Sequence, residues 1–359
     1  MDKFPEKKDG LLRRLNFSKD IYFIIGIIVV LFLIIFSLSS TDLEEKVSKF
    51  LKCGDGTFSG YCSLSKSYFC ENETLIENSS FCGCPENFRS KERYCISDYD
   101  NLSSEVYLDY LIYGVNNSLY FKFREDVHLY LSGLPRYKVY LADEIPKRSD
   151  FKYKKIDEPI QSSFLKPLVV EIENLYPESK DMQAKVAVSI VQNIPYNESE
   201  FTLFFGTKIR ISAYPYEILG KNQGSCEEKS ELLAYLLKEL GFGVTLFYYP
   251  NENHEAVGIK CPIEESYLGM GYCFVETTVP SPISYSEGIY LGLGGAGKLE
   301  SEPEIILISD GISLSESLVD YKDAKDLKKL VDKIGKTGLL NFFEKSKMNY
   351  LREKYGLGY

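Results

Sequence analysis

The chain has two histidines and nine cysteines, so thiol chemistry assisted by an imidazole has few possible parties. One cysteine stands within "GSCEEKSELLAYLLKELG", residues 224 to 241. Ser225 with Glu228 three residues on makes a capping box, and Leu232, Leu233, Leu236, Leu237 and Leu240 make one apolar stripe. With Gly241 as a stop, this predicts a helix that opens at Cys226. The unpaired N–H groups and positive dipole end at such a position favour an anion, which biases a thiol there toward its reactive thiolate. Glu227 and Glu228 work against it, since neighbouring carboxylates raise a thiol pKa. A packed small hydrophobe or half of a disulfide is the other reading of a cysteine so placed.

A nucleophilic thiol needs a base beside it. After the Cys226 helix come the strand-like run "FGVTLFYY", then "HEAVGIKC" opening on His254, then "YCFVETT" ending near Glu276. With the last two strands antiparallel and His254 opposite Glu276, both side chains share a face, and the carboxylate can orient the imidazole. That is the nucleophile, base and orienter logic of a triad. A solvated strand residue is the alternative for Glu276. His128 falls in another strand-like run, beside Tyr130, and reads as an ordinary strand residue.

These pieces, in this order over roughly residues 168 to 284, resemble the transglutaminase-like superfamily in its microbial membrane-anchored form: "VQNIPY", "YPYEIL", "GSCEEKSELLAYLLKELGFGV", "HEAVGIKC" and "YCFVETTVPSP". The resemblance implies an α+β, papain-like core in which the nucleophile helix packs on an antiparallel sheet. It places the Cys, His and acidic positions on Cys226, His254 and Glu276, where many members carry Asp rather than Glu. The activity implied is acyl transfer through a thioester, by a peptidase or amidase acting on a protein or peptide. A protein-glutamine transglutaminase with the same triad and a catalytically inactive surface-binding protein are the alternatives. The oxyanion would take the Cys226 N–H and one further donor, with Gln223 and Asn222 as candidates by proximity. No metal or cofactor is called for.

The rest of the chain must position this core. "IYFIIGIIVVLFLIIFSL", residues 21 to 38, carries no charge and suits a membrane span. Lys3, Lys7, Lys8, Arg13, Arg14 and Lys19 precede it and only Lys46, Lys49 and Lys52 follow closely, which keeps the N-terminus cytoplasmic and puts the catalytic part outside. A cleaved signal peptide is the weaker alternative, because the apolar stretch is long for one. Outside, disulfides persist, and Asn72, Asn78, Asn101, Asn116 and Asn197 stand in glycosylation sequons. Six cysteines, Cys53, Cys62, Cys70, Cys82, Cys84 and Cys95, sit among too few apolar residues to form a core unaided. Two or three disulfides are expected there, in preference to a zinc site. Cys261 and Cys273 either bridge each other or remain buried thiols. Val257 is expected opposite Cys273, so a bridge would need the intervening loop to fold back.

The expected organisation is a tail (1–20), a transmembrane helix (21–39), a helical stalk (40–52), a cysteine-rich module (53–96), a β-rich module of four short strands (97–163), a catalytic domain (164–300) and a helical extension (301–359). The 44% hydrophobic content supports a real core, and a net charge of −10 without a basic stripe argues against nucleic acid as a partner. "GLGGAG" at 292 to 297 matches GxGxxG, but Leu299 stands where a phosphate loop needs Ser or Thr. It reads as a glycine-rich surface loop.

Overall fold

The computed structural model describes residues 29–30, 51–64, 67–99, 102–136, 146–204, 206–286, 290–292 and 295–358. The chain divides into two units, Met1–Leu51 and Lys52–Tyr359. The expected tail, membrane span and stalk lie outside the described residues, apart from Val29, Val30, Leu51 and Lys52. No helix among the described residues is long and apolar enough to cross a membrane.

The second unit is a mixed α+β fold. It begins with two small hairpins, β1 (Tyr68–Glu71) with β2 (Thr74–Glu77) and β3 (Arg89–Lys91) with β4 (Tyr94–Ile96). All six cysteines of this module pair, as Cys53–Cys70, Cys62–Cys82 and Cys84–Cys95. Cys53, Cys70 and Leu75 form a small apolar cluster with Val170, which lies on a helix of the main body. Asn174 of the same helix pairs with both the N–H and the carbonyl of Leu75.

A long hairpin follows, β5 (Ser103–Ile112) with β6 (Val115–Arg124), then α1 (Glu125–Ser132) and α2 (Arg148–Ile156). Where four strands were expected, the run "VHLYL" is helical, and His128 lies in α1. Val127 and Leu131, four apart, are its buried positions, and Glu125 and Asp126 occupy the first turn, where acids suit the dipole. The fourth expected run, at 137–145, lies outside the described residues. Leu108, Tyr110, Ile112, Leu119, Phe121 and Phe123 of the hairpin share one core with the Cys226 helix. The hairpin is therefore a wall of the main body.

Next come α3 (Pro159–Leu175), α4 (Lys180–Asn193), the hairpin β7 (Glu200–Phe204) and β8 (Thr207–Ile211), α5 (Pro215–Lys221) and α6 (Cys226–Glu239). The central sheet is antiparallel, ordered β11 (Tyr272–Val275), β10 (His254–Lys260), β9 (Val244–Tyr249), β14 (Glu304–Ser309). β14 falls where only helices were expected after residue 301; its apolar run "EIILIS" is too short for periodicity to declare it a strand. The C-terminal helices α7 (Val319–Thr337) and α8 (Phe342–Tyr355) pack their inner faces on each other and on Tyr285.

The β10–β11 register differs from the expectation by two residues. Ile259, not Val257, faces Cys273, and the ladder ends at the Val257–Val275 pair. A shift of two leaves every side chain on its expected face. It also brings Cys261 diagonal to Cys273, and the two bridge at a Cα separation of 5.7 Å without the loop folding back.

Candidate active site

The helix α6 starts at Cys226 because Ser225 and Glu228 close the capping box: Ser225 Oγ accepts from Glu228 N, and Glu228 Oε2 accepts from Ser225 N at 2.9 Å. The two carboxylates expected to oppose a thiolate are both occupied. Glu228 also accepts from Ala213 N at 2.6 Å. Glu227 takes the ammonium of Lys152 at 2.7 Å, and although burial would raise its carboxyl, Lys152 and Lys155 hold it far below the ordinary range. Cys226 itself is 4% exposed, is unpaired, and has its Sγ 4.0 Å from the Asn253 carbonyl oxygen.

His254 opens β10 and is wholly buried. Its Nε2 lies 3.0 Å from Glu276 Oε2. Burial alone disfavours a charged imidazole. The charge of Glu276, seconded by Cys226, outweighs it and pushes the His254 pKa up to about 10. Glu276 comes directly after β11, on the same face of the sheet as His254. Its Oε1 accepts from Thr277 N at 3.0 Å, Thr278 N at 2.8 Å and Thr278 Oγ1 at 2.6 Å. Those bonds and His254 overcome burial and hold the carboxyl below its usual value.

Several supporting residues gave no sequence signal. Gln192 of α4 donates to the Glu276 carbonyl at 2.8 Å and to the Ser281 carbonyl at 3.1 Å, fixing the backbone on which the acid sits. Ser230, one turn along α6 from Cys226, donates to the Glu255 carbonyl at 3.0 Å and lies 3.1 Å from Thr277 Oγ1, tying the helix to both strands. Lys229 is fully buried against the Gln192 and Ile194 carbonyls, and burial pulls its pKa down to about 7 despite Glu276 and Cys226. Lys152 of α2 is 2% exposed and meets three carboxylates: Glu227 at 2.7 Å, Glu231 at 2.8 Å and Glu255 at 3.0 Å. One ammonium thus clamps the residues that follow Cys226 and His254 in sequence.

Tyr290 covers the imidazole, its ring centroid 4.0 Å from that of His254. It belongs to β12 (Tyr290–Gly292), which pairs with β13 (Gly295–Gly297). The glycine-rich stretch expected as a surface loop is therefore part of this hairpin. A Cβ on Gly297 would come within 2.8 Å of the Tyr290 hydroxyl, so a side chain there would push the phenol aside.

Cys226, His254 and Glu276 are brought to one buried place. Gln223 and Asn222 are exposed on the turn before α6, where Asn222 caps α5 in a left-handed conformation at φ +45°. His128 is far from this chemistry in role, its Nδ1 3.4 Å from Glu217 Oε1. Among the described residues no group of three or more His, Cys, Asp or Glu is arranged to hold a metal ion.

No protein-family model and no curated protein matches the chain. Among solved structures, calcium-bound LapG of Legionella pneumophila is similar at 12% identity with a TM-score of 0.24, over 50% of this chain and 98% of its own. A likeness that low transfers no reaction and no residue.

Proposed function

We propose that the chain is a membrane-anchored, extracytoplasmic cysteine hydrolase of the transglutaminase-like kind, a peptidase or amidase, with Cys226 as nucleophile, His254 as base and Glu276 as orienter. The observation that carries this reading is the surroundings of His254: a carboxylate holds one ring nitrogen at 3.0 Å, and Cys226, an unpaired thiol at a helix start, acts on the imidazole by hydrogen bonding and charge. An imidazole that holds its proton to about pH 10 is a proton donor throughout the neutral range.

In the first half-reaction the Cys226 thiolate, its proton already held by His254, bonds to the acyl carbon of a peptide or carboxamide as the C=O π pair moves onto oxygen. Charge gathers on the carbonyl oxygen, which the helix start and the Cys226 N–H would stabilise. The His254 proton passes to the leaving nitrogen, the C–N bond breaks and a thioester remains. In the second, His254 takes a proton from water, the hydroxide oxygen bonds to the acyl carbon, and the sulfur leaves as thiolate with a carboxylic acid released. Glu276 keeps the imidazole in one orientation through both. An amine in place of water gives the transglutaminase outcome by the same first half.

The test is alkylation of the unreduced protein by iodoacetamide, read by mass spectrometry. Label should enter rapidly at Cys226 alone, and His254→Ala should slow it by about a hundredfold, the lower end of what a positioned base contributes. Cys226 found in a disulfide, or labelling indifferent to His254, would sink the assignment.

A further inference from the structure

The C-terminal helical hairpin has two unlike ends. Where α7 and α8 cross the body, Ala324, Leu327, Leu330, Met348 and Leu351 face inward and are buried. At the connection the pattern reverses: Leu339, Phe342 and Phe343 are 76%, 81% and 80% exposed, with the two phenyl rings in edge contact at 5.7 Å. Folding alone does not ask for this. Gly338 and Asn341 already terminate α7 and cap α8, and Leu340 supplies the inward contact. Three large apolar side chains together at a tip mark a surface meant to be covered.

Charge says by what. The whole chain has a net charge of −10, yet Val319–Tyr355 carries ten lysines and arginines against six carboxylates. Lys336 and Lys345 are exposed beside the tip, and the nearest acid, Glu344, is already bound by Lys333 at 2.6 Å. An apolar wedge collared by lysines suits an interface with hydrocarbon below and anionic headgroups around it. A soluble partner of the same charge preference would need an acidic groove, whereas a bilayer needs only the wedge and the collar. The reading of residues 21–38 as a membrane span independently gives the chain a bilayer at high effective concentration.

We propose that Leu339, Phe342 and Phe343 insert into an anionic lipid surface, with Lys336 and Lys345 on the headgroups. This goes beyond the hydrolase chemistry and does not depend on it, resting only on the membrane-anchor part of that reading. The chain has no tryptophan, so Phe343→Trp gives a single tryptophan, excited selectively at the red edge apart from the 28 tyrosines, in the full-length protein reconstituted in vesicles. In phosphatidylglycerol-containing vesicles its emission should move to the blue and be quenched by brominated phosphatidylcholine, with much less of either in pure phosphatidylcholine. Adding Lys336→Gln and Lys345→Gln should lower the ratio of inserted to free tip by about fivefold for each lysine. Emission unshifted in anionic vesicles overturns the proposal, as does equal quenching in neutral ones. A blue shift that grows with protein density but is untouched by brominated lipid overturns it too, because it assigns the tip to a second copy of the chain.

Discussion

Replacing Glu276 by Gln should change the charge on His254 far more than the shape around it. The Nε2 to Oε2 separation is 3.0 Å, at which a full ion pair in an effective dielectric of about 20 is worth about 5 kcal/mol. The lift of the His254 pKa from 6.5 to about 10 is of the same order, at 1.36 kcal/mol for each unit. Removing the carboxylate charge leaves burial as the dominant influence, so the imidazole should titrate at or below its ordinary value of 6.5. The amide oxygen can keep the bonds from Thr277 and Thr278, while its NH2 donates to a neutral Nε2. Two histidines in the whole chain make the assay simple: in a carbon–proton correlation spectrum of histidine-labelled protein, the His254 ring signal should hold its protonated shift to about pH 10 and move to neutral pH or below in Glu276→Gln. Cys226→Ala should lower it by a smaller step. Stability follows with definite sign. The His254 contribution is full below 6.5 and is lost as pH rises toward about 10, whereas that of Glu276 is full above 4.5 and is lost as pH falls below it. A His254 signal that titrates near 6.5 in the unaltered protein, or one indifferent to the Glu276 change, would refute this account of the site.

Lys152→Met removes the cation shared by Glu227, Glu231 and Glu255 and should destabilise the fold by about 3 to 5 kcal/mol, read from denaturant unfolding. The loss should shrink as pH falls, since Glu255, pushed up to about 7 chiefly by burial, accepts a proton first; a loss below about 1 kcal/mol would mean the cluster is dispensable. For topology, protease added to intact cells should remove the chain beyond about residue 40, and protection of that part would overturn the outside placement.

What could be read in advance was whatever local sequence determines. The capping box and leucine stripe place the start of α6, and strand parity places His254 and Glu276 on one face. The register offset could not be read, because parity is blind to a shift of two and the long connection between β10 and β11 does not set it as a tight turn would. His128 was misplaced in a strand because "VHLYL" suits both periodicities, and the i, i+4 burial that decides for helix is a tertiary fact. Gln192, Lys152 and Tyr290 approach the site from other elements, and their spacing in sequence carries nothing of that. Gln223 and Asn222 are exposed on the turn before α6, and nearness to Cys226 along the chain does not by itself aim a donor at an oxyanion.

An odd thiol also makes the order of folding events matter. Eight cysteines pair and the ninth, Cys226, ends 4% exposed, yet before the core closes it is as open to exchange as the others. The segment around it is the one best able to fold on local information, a capped helix whose leucines join the largest core. The Cys53–Cys95 stretch, poor in apolar residues, has to wait for oxidant. Early collapse of α6 onto the sheet would withdraw this thiol before bridges begin to form, so a weakened helix cap should appear first as scrambled disulfides in the newly made chain, ahead of any measurable fall in the stability of the finished protein.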